Sequence, residues 1–410
     1  MSSCVPLGTV PTGSTTSKTL VYDNQNYERY VGNVILNSFN PFIELGSAQP
    51  LNLEFDLLTN KFENLQAKII HCNFDWKPSK LIEMEYLDGF NQFDHKSFDY
   101  STNTKTPYIQ YFFELKRPKL TGNYLVVLYR RGNENDVLFS RRIVLYKKQI
   151  SVSGEFRIPS KVASRRTDQQ LDFEISYSGV QAPNPRENFK TIILQNKDWD
   201  RAIVNLEPTG MRAGSNMLEW RYFGGETNFP GWNQFRWLDI RTLNLRGINV
   251  AKIERLASEV KVTQSLESAH GRDSYRQLIN DNNGRYIPGT SDPGEGWLEA
   301  DYAKVQFSIK SEENLGDVYV MGRFNDWKKT SENKMRYDSE SRVYFTNIRL
   351  KQGYYDYRYE LESKDLPEYE FEGSHFQAEN EYEILVYYRA PGRINDEVVG
   401  YLSLNSEDFY

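Results

Sequence analysis

The chain has 410 residues and only two cysteines, Cys4 and Cys72, so it cannot be a disulfide scaffold or a cysteine-ligated metal protein. Histidine is scarce as well. His71, His95, His270 and His375 are the only four, and none has a second His or Cys at ligand spacing except the adjacent Cys72. Neighbours on a strand point to opposite faces and cannot share an ion. There is no excess of positive charge: the net charge is −6, and clustered Lys/Arg occurs as short pairs such as Arg141-Arg142 and Lys147-Lys148. That argues against a nucleic-acid partner. Long apolar runs are missing too, which excludes a membrane-spanning helix. No phosphate-cradling glycine loop, nucleophile elbow or zinc-binding helix is present. The chemistry of the sequence therefore points away from an enzyme, and no cofactor is expected.

Aromatic residues are abundant, at 14% of the chain with 28 Tyr and 23 Phe. That bias suits strands. A strand followed by a tight acidic-aromatic turn occurs three times. The first copy ends in Asn73-Phe74-Asp75-Trp76, the second in Asn196-Lys197-Asp198-Trp199 and the third in Asn325-Asp326-Trp327. The copies recur at roughly the spacing of a domain. A strand of period-2 alternation precedes each one. Leu51, Leu53, Phe55 and Leu57 alternate with Asn52, Glu54 and Asp56; Leu171, Phe173 and Ile175 and then Val305, Phe307 and Ile309 repeat the pattern. Such strands bury one face and wet the other. The expected fold is all-β, with three tandem immunoglobulin-like β-sandwiches of the early-set type. The domains are expected at 19–147, 148–267 and 299–410, after a flexible tail over 1–18. Residues 268–298, rich in Gly, Asn and Pro, read as a linker or long loop. Tyr124 to Tyr129 is unbroken in its apolar character, as in a strand covered on both sides.

In the turns, Asn and Asp can close the backbone while the Trp covers the end of a sandwich. Alternatively, an exposed Trp327 beside Asn325 and Asp326 could stack on a sugar. A sugar site should occur once, whereas a packing device should recur, and this one recurs. The aromatic, Gly-rich stretch ending in Phe229-Pro230-Gly231-Trp232 is either a partner contact or a lid on its own core. Cys4, followed by a Pro-, Gly-, Thr- and Ser-rich stretch, reads as a lipidated cysteine on a flexible tether or as an ordinary loose terminus.

Two family likenesses follow from longer strings. Gly322-Arg323-Phe324-Asn325-Asp326-Trp327 and Gly353-Tyr354-Tyr355-Asp356-Tyr357-Arg358-Tyr359 resemble the early-set, glycogen-binding immunoglobulin-like modules. His71 through Ser79, Met84-Glu85-Tyr86-Leu87-Asp88-Gly89-Phe90, Thr121 through Leu125, and Phe229 through Arg241 resemble the type IX secretion system plug proteins of Bacteroidota. That resemblance implies a non-enzymatic subunit in the periplasm, at the inner face of the outer membrane. Its partner would be the large outer-membrane translocon β-barrel, whose periplasmic opening it would seal when idle; a lipid on Cys4, where that reading of the terminus holds, would tether it to the membrane. The alternative is a periplasmic or surface glycan-binding protein using Trp327.

Overall fold

The computed structural model describes residues 18–270, 275, 281–293 and 296–409. Cys4 and most of the tail lie outside the described residues. The fold is almost entirely strands, arranged in six sheets, as the alternation predicts. In the first sandwich, one sheet pairs Leu65–Cys72, Gly122–Arg130 and Val137–Tyr146, and the facing sheet pairs Val31–Leu36, Leu51–Leu57, Ile109–Leu115 and Ser97–Tyr100. Leu53, Phe55 and Tyr111 from one sheet meet Ile69, Val126 and Phe139 from the other in a common core.

The other two sandwiches do not follow the boundaries at 267 and 299 that the polar stretch suggests. The strand Phe189–Gln195 pairs along its whole length with Glu381–Tyr388, which in turn pairs with Glu397–Asn405. That sheet faces the one built on Ser151–Arg157, Asp168–Ser176 and Met217–Trp220, with Leu171, Phe173, Trp220, Ile193, Tyr382 and Ile384 between them. The second sandwich therefore takes strands from before residue 232 and after residue 376. The third is inserted into it. Its sheets are built on Gly353–Glu362, with Arg236–Asp239, Tyr286–Pro288 and Asp317–Met321, and on Val250–Arg255, Val260–Gln264, Tyr302–Lys310, Val343–Lys351 and Arg336–Asp338. The stretch read as a linker thus contributes Tyr286–Pro288 as a paired strand. Glycine and asparagine there serve turns within a domain; composition alone does not separate that use from a tether.

The first two sandwiches lie face to face. Cys72, Leu125, Val127 and Val144 of one pack on Ile192, Leu194, Leu385 and Val398 of the other. This second covering explains the unbroken apolar run at 124–129. Val126 and Leu128 point into the first core, while Leu125 and Val127 point at the neighbouring sandwich.

Candidate functional site: a junction of three turns

Each sequence-predicted turn is shaped by its own short polar side chains. In the first, the Asp75 carboxylate accepts from the Lys77 N–H at 3.3 Å, the Trp76 N–H donates to the Asn73 backbone carbonyl at 2.9 Å, and Trp76 adopts a positive φ of 59°. In the second, Asn196 and Lys197 both have positive φ, and the Asp198 carboxylate accepts from the Asp200 N–H at 2.9 Å. In the third, Asn325 accepts from the Gly322 N–H at 3.1 Å and donates to the Val320 carbonyl at 2.8 Å. Asp326 and Trp327 then take left-handed backbone. Asparagine and aspartate tolerate that region best, and a Trp adopts it only where packing compensates.

The tryptophans are not sugar platforms. Trp76 and Trp327 are buried, and Trp199 is half-buried. Trp327 lies against Gly284, where a Cβ would meet the indole at 2.4 Å, and beside Phe235. No face of the ring is free for a pyranose, which removes the glycan reading at this residue.

What the sequence does not reveal is that the turns meet. Trp76 and Trp199 are edge to face at 5.2 Å between centroids, with the Arg142 guanidinium over both. Lys328, next to Trp327, donates to Asp23 at 2.7 Å and also to Asp200 beside the second turn. Asn24 donates to Asp326 at 3.1 Å. The first turn also docks on the second sandwich, since the Phe74 N–H donates to Asp396 at 2.9 Å. One junction thus ties all three sandwiches together.

The string at 229–232 is a correction to the partner-contact reading. Phe229 and Trp232 are 3% and 1% exposed and can offer a partner almost nothing. They sit in the neck where the chain leaves the second sandwich for the third. The two crossing segments run side by side there: the His375 N–H donates to the Trp232 carbonyl at 2.8 Å, and Asn233 donates to the Glu372 carbonyl at 3.0 Å. Gly231 is required because a Cβ would meet the His375 carbonyl oxygen at 1.9 Å. Phe223, just upstream, is the exposed aromatic of that stretch.

Buried charge fills the space behind the neck. The Arg358 guanidinium lies over Trp232 at 3.8 Å and near Trp327 at 4.7 Å, and it donates to Glu360 at 2.7 Å. Arg201 donates to Glu360 at 2.6 Å and also to Glu368. Burial favours the neutral form of Glu360, but the two guanidiniums outweigh it and hold the carboxyl down to about 2. Glu381, held by Lys197 and Arg285 against the same burial, is also lowered to about 2. Asp198 is pushed up to about 6 by burial. Burial and mutual repulsion push Asp356 up to about 7, and burial pushes Asp281 up to about 6.

These opposed shifts give a pH dependence. The raised carboxyls bind protons in the folded chain that the unfolded chain does not hold, so their contribution is complete below about pH 4 and declines as pH rises towards 7. The lowered ones act in reverse: their contribution is present above about pH 4.5 and is lost towards pH 2. The melting temperature should therefore rise as pH falls from about 7.5 to about 5 and drop below about 4. Calorimetry across that range checks this, and a flat profile would contradict it.

Several comparisons bear on this architecture. Residues 19–147 match the family described as type 9 secretion system plug protein 1st domain. A search of curated proteins finds no match. A hypothetical protein from Parabacteroides merdae, known from a crystal structure, superposes with a TM-score of 0.88 at 24% identity, covering 94% of this chain and all of that one. At that identity the likeness is one of fold.

Proposed function

We propose, for a chain whose residues 19–147 belong to the type 9 secretion system plug family, a role as the non-enzymatic subunit that closes the periplasmic opening of the translocon barrel between export events. The match over the first sandwich carries the reading. The locked junction supports it: a body that fills an opening must resist deformation, and buried contacts join every pair of sandwiches. In this reading the chain resides in the periplasm at the inner face of the outer membrane, and a lipid on Cys4 would keep it there.

The surface assigned to the barrel is the loop around the helix Glu83–Tyr86. Ile82, Met84 and Phe90 are 65%, 75% and 88% exposed. The loop beneath them is fixed. Tyr86 and Leu87 are buried, and Asn91 bonds both the N–H and the carbonyl of Ile69, at 2.9 and 2.8 Å. Apolar side chains held out from a rigid base suit a contact that needs little ordering on binding.

Deleting the chain should make cells permeable to large antibiotics only while the translocon is present; unchanged permeability would reject the sealing role. Met84→Asp with Phe90→Asp should lower co-purification with the barrel by about tenfold or more and leave the melting temperature within about 2 °C, since the exposed side chains contribute little to the core. Undiminished co-purification would move the contact elsewhere.

A further inference from the structure

Beside the junction lies an open cleft of about 1100 Å³ between the first and third sandwiches. It is larger than a typical small-molecule pocket. One wall is the outward face of a sheet in the third sandwich. Lys304 and Arg349 stand directly opposite each other on paired strands there. Arg336 lies on the same face, on the adjoining edge strand opposite Phe345, with its guanidinium 5.7 Å from that ring. All three are exposed. Like charges directly across a strand pair repel, and among the described residues none of the three forms an ion pair. Other cations of the cleft have partners: Arg29 pairs with Glu332, Arg142 with Asp23 and Lys334 with Asp317, and Arg323 donates to the Phe39 carbonyl at 2.7 Å. The unpaired trio stands out on a chain of net charge −6.

The opposite wall is the strand Val31–Leu36, which ends its sheet and pairs on one side with Leu51–Leu57. Its register shifts between Gly32 and Ile35, so Asn33 and Val34 fall out of the ladder. The Asn33 amide nitrogen and oxygen are both shielded from water without a hydrogen-bond partner. An end strand with two residues out of its ladder, across an open cleft from a row of unpaired cations, suits a guest that offers both backbone groups and carboxylates.

We propose that this cleft receives an extended, acidic segment of a partner polypeptide, lying along the Val31–Leu36 edge with its carboxylates on Lys304, Arg336 and Arg349. The proposal is independent of whether the chain seals a barrel. The charge row speeds encounter and selects against basic or neutral segments.

The test uses the full chain and a fluorescent peptide alternating Glu and Thr, with its Lys-Thr counterpart, polyphosphate and anionic vesicles as competitors. The chain should bind the acidic peptide, more weakly as salt rises. Lys304→Glu with Arg349→Glu should weaken binding about tenfold or more with an unchanged circular dichroism spectrum, whereas Lys310→Glu, on the same strand outside the cleft, should change it less than about twofold. No binding, equal binding by the double variant, or equal loss in Lys310→Glu overturns the proposal. Displacement of the peptide by polyphosphate or vesicles at matched charge, without displacement by an unlabelled acidic peptide, also overturns it in favour of a general anion or membrane site. Should the double variant fail to fold, Arg336→Gln with Arg349→Gln must show the same loss.

Discussion

Arg358→Ala is expected to destabilise the chain by about 3–5 kcal/mol, read as a fall in the denaturant midpoint without loss of cooperativity. Arg358 is buried, and its ion pair with Glu360 is buried too. Burial alone lowers the affinity of the Arg358 guanidinium for its proton, so the group remains charged because Glu360 and Asp198 surround it. Removing it leaves Glu360 with Arg201 as its close partner and empties the space between Trp232, Trp327 and Phe235. Both effects act in the same direction: a buried carboxylate left with one guanidinium, which it shares with Glu368 and Asp198, and a cavity beside three rings. Arg358→Lys should recover little, because an ammonium cannot stack flat on the indoles while bonding the carboxylate. Arg358→Met with Glu360→Gln should recover more than either single change, since it removes the charge imbalance and refills part of the volume. A loss below about 1 kcal/mol for Arg358→Ala would mean that water replaces the guanidinium and that the cage is not dry.

The contrast between what could be read from the residues and what could not follows the range of the interactions. Leu51, Leu53, Phe55 and Leu57 alternate because one sheet face is buried, and that is a local pattern. The run Tyr124–Tyr129 announces a doubly covered strand for the same reason, although nothing in it names the covering partner. Of the turn residues, Asp75, Asp198 and Asn325 bond backbone within a few residues, which is the local signal, whereas Asn73, Asn196 and Asp326 accept from Asp396, Glu381 and Asn24, far along the chain. Their convergence is not visible, since it depends on the pairing of Phe189–Gln195 with Glu381–Tyr388 nearly two hundred residues later. The inserted third sandwich is hidden for the same reason. The Phe229-Pro230-Gly231-Trp232 string reads equally as a partner contact or as a lid on its own core, because a buried neck and an exposed contact demand similar residues. Gly231 between two large side chains is the signal that could have separated them, as a sign that another backbone passes close by. Asp56 is the sharpest case. It occupies a solvent-side position of an alternating strand and yet has no exposed surface, because the third sandwich covers that face.

That covered aspartate leads to an asymmetric outcome between single and paired substitutions. Asp56 accepts from Lys351 at 2.9 Å and from the Tyr302 hydroxyl at 2.6 Å. The Lys351 ammonium also sits over Tyr108 at 4.3 Å and Trp297 at 4.9 Å. Burial raises the proton affinity of Asp56 and lowers that of Lys351, so for both groups desolvation outweighs the attraction of the partner. An ion pair of that kind contributes little net stability, but each half is costly to leave alone. Asp56→Ala or Lys351→Ala alone should therefore cost about 3–5 kcal/mol, because one buried charge loses its counter-charge. Asp56→Leu with Lys351→Met and Tyr302→Phe should come within about 1 kcal/mol of the parent or exceed it, since no polar group is then left without a partner and the volume is roughly kept. A double-mutant cycle in denaturant measures both. If the triple variant is as damaged as the singles, the pair holds the first and third sandwiches together by net attraction. If it is as stable as the parent but the backbone amides at positions 302 and 350 exchange protons more freely, the pair acts by fixing how the sandwiches dock rather than by adding stability.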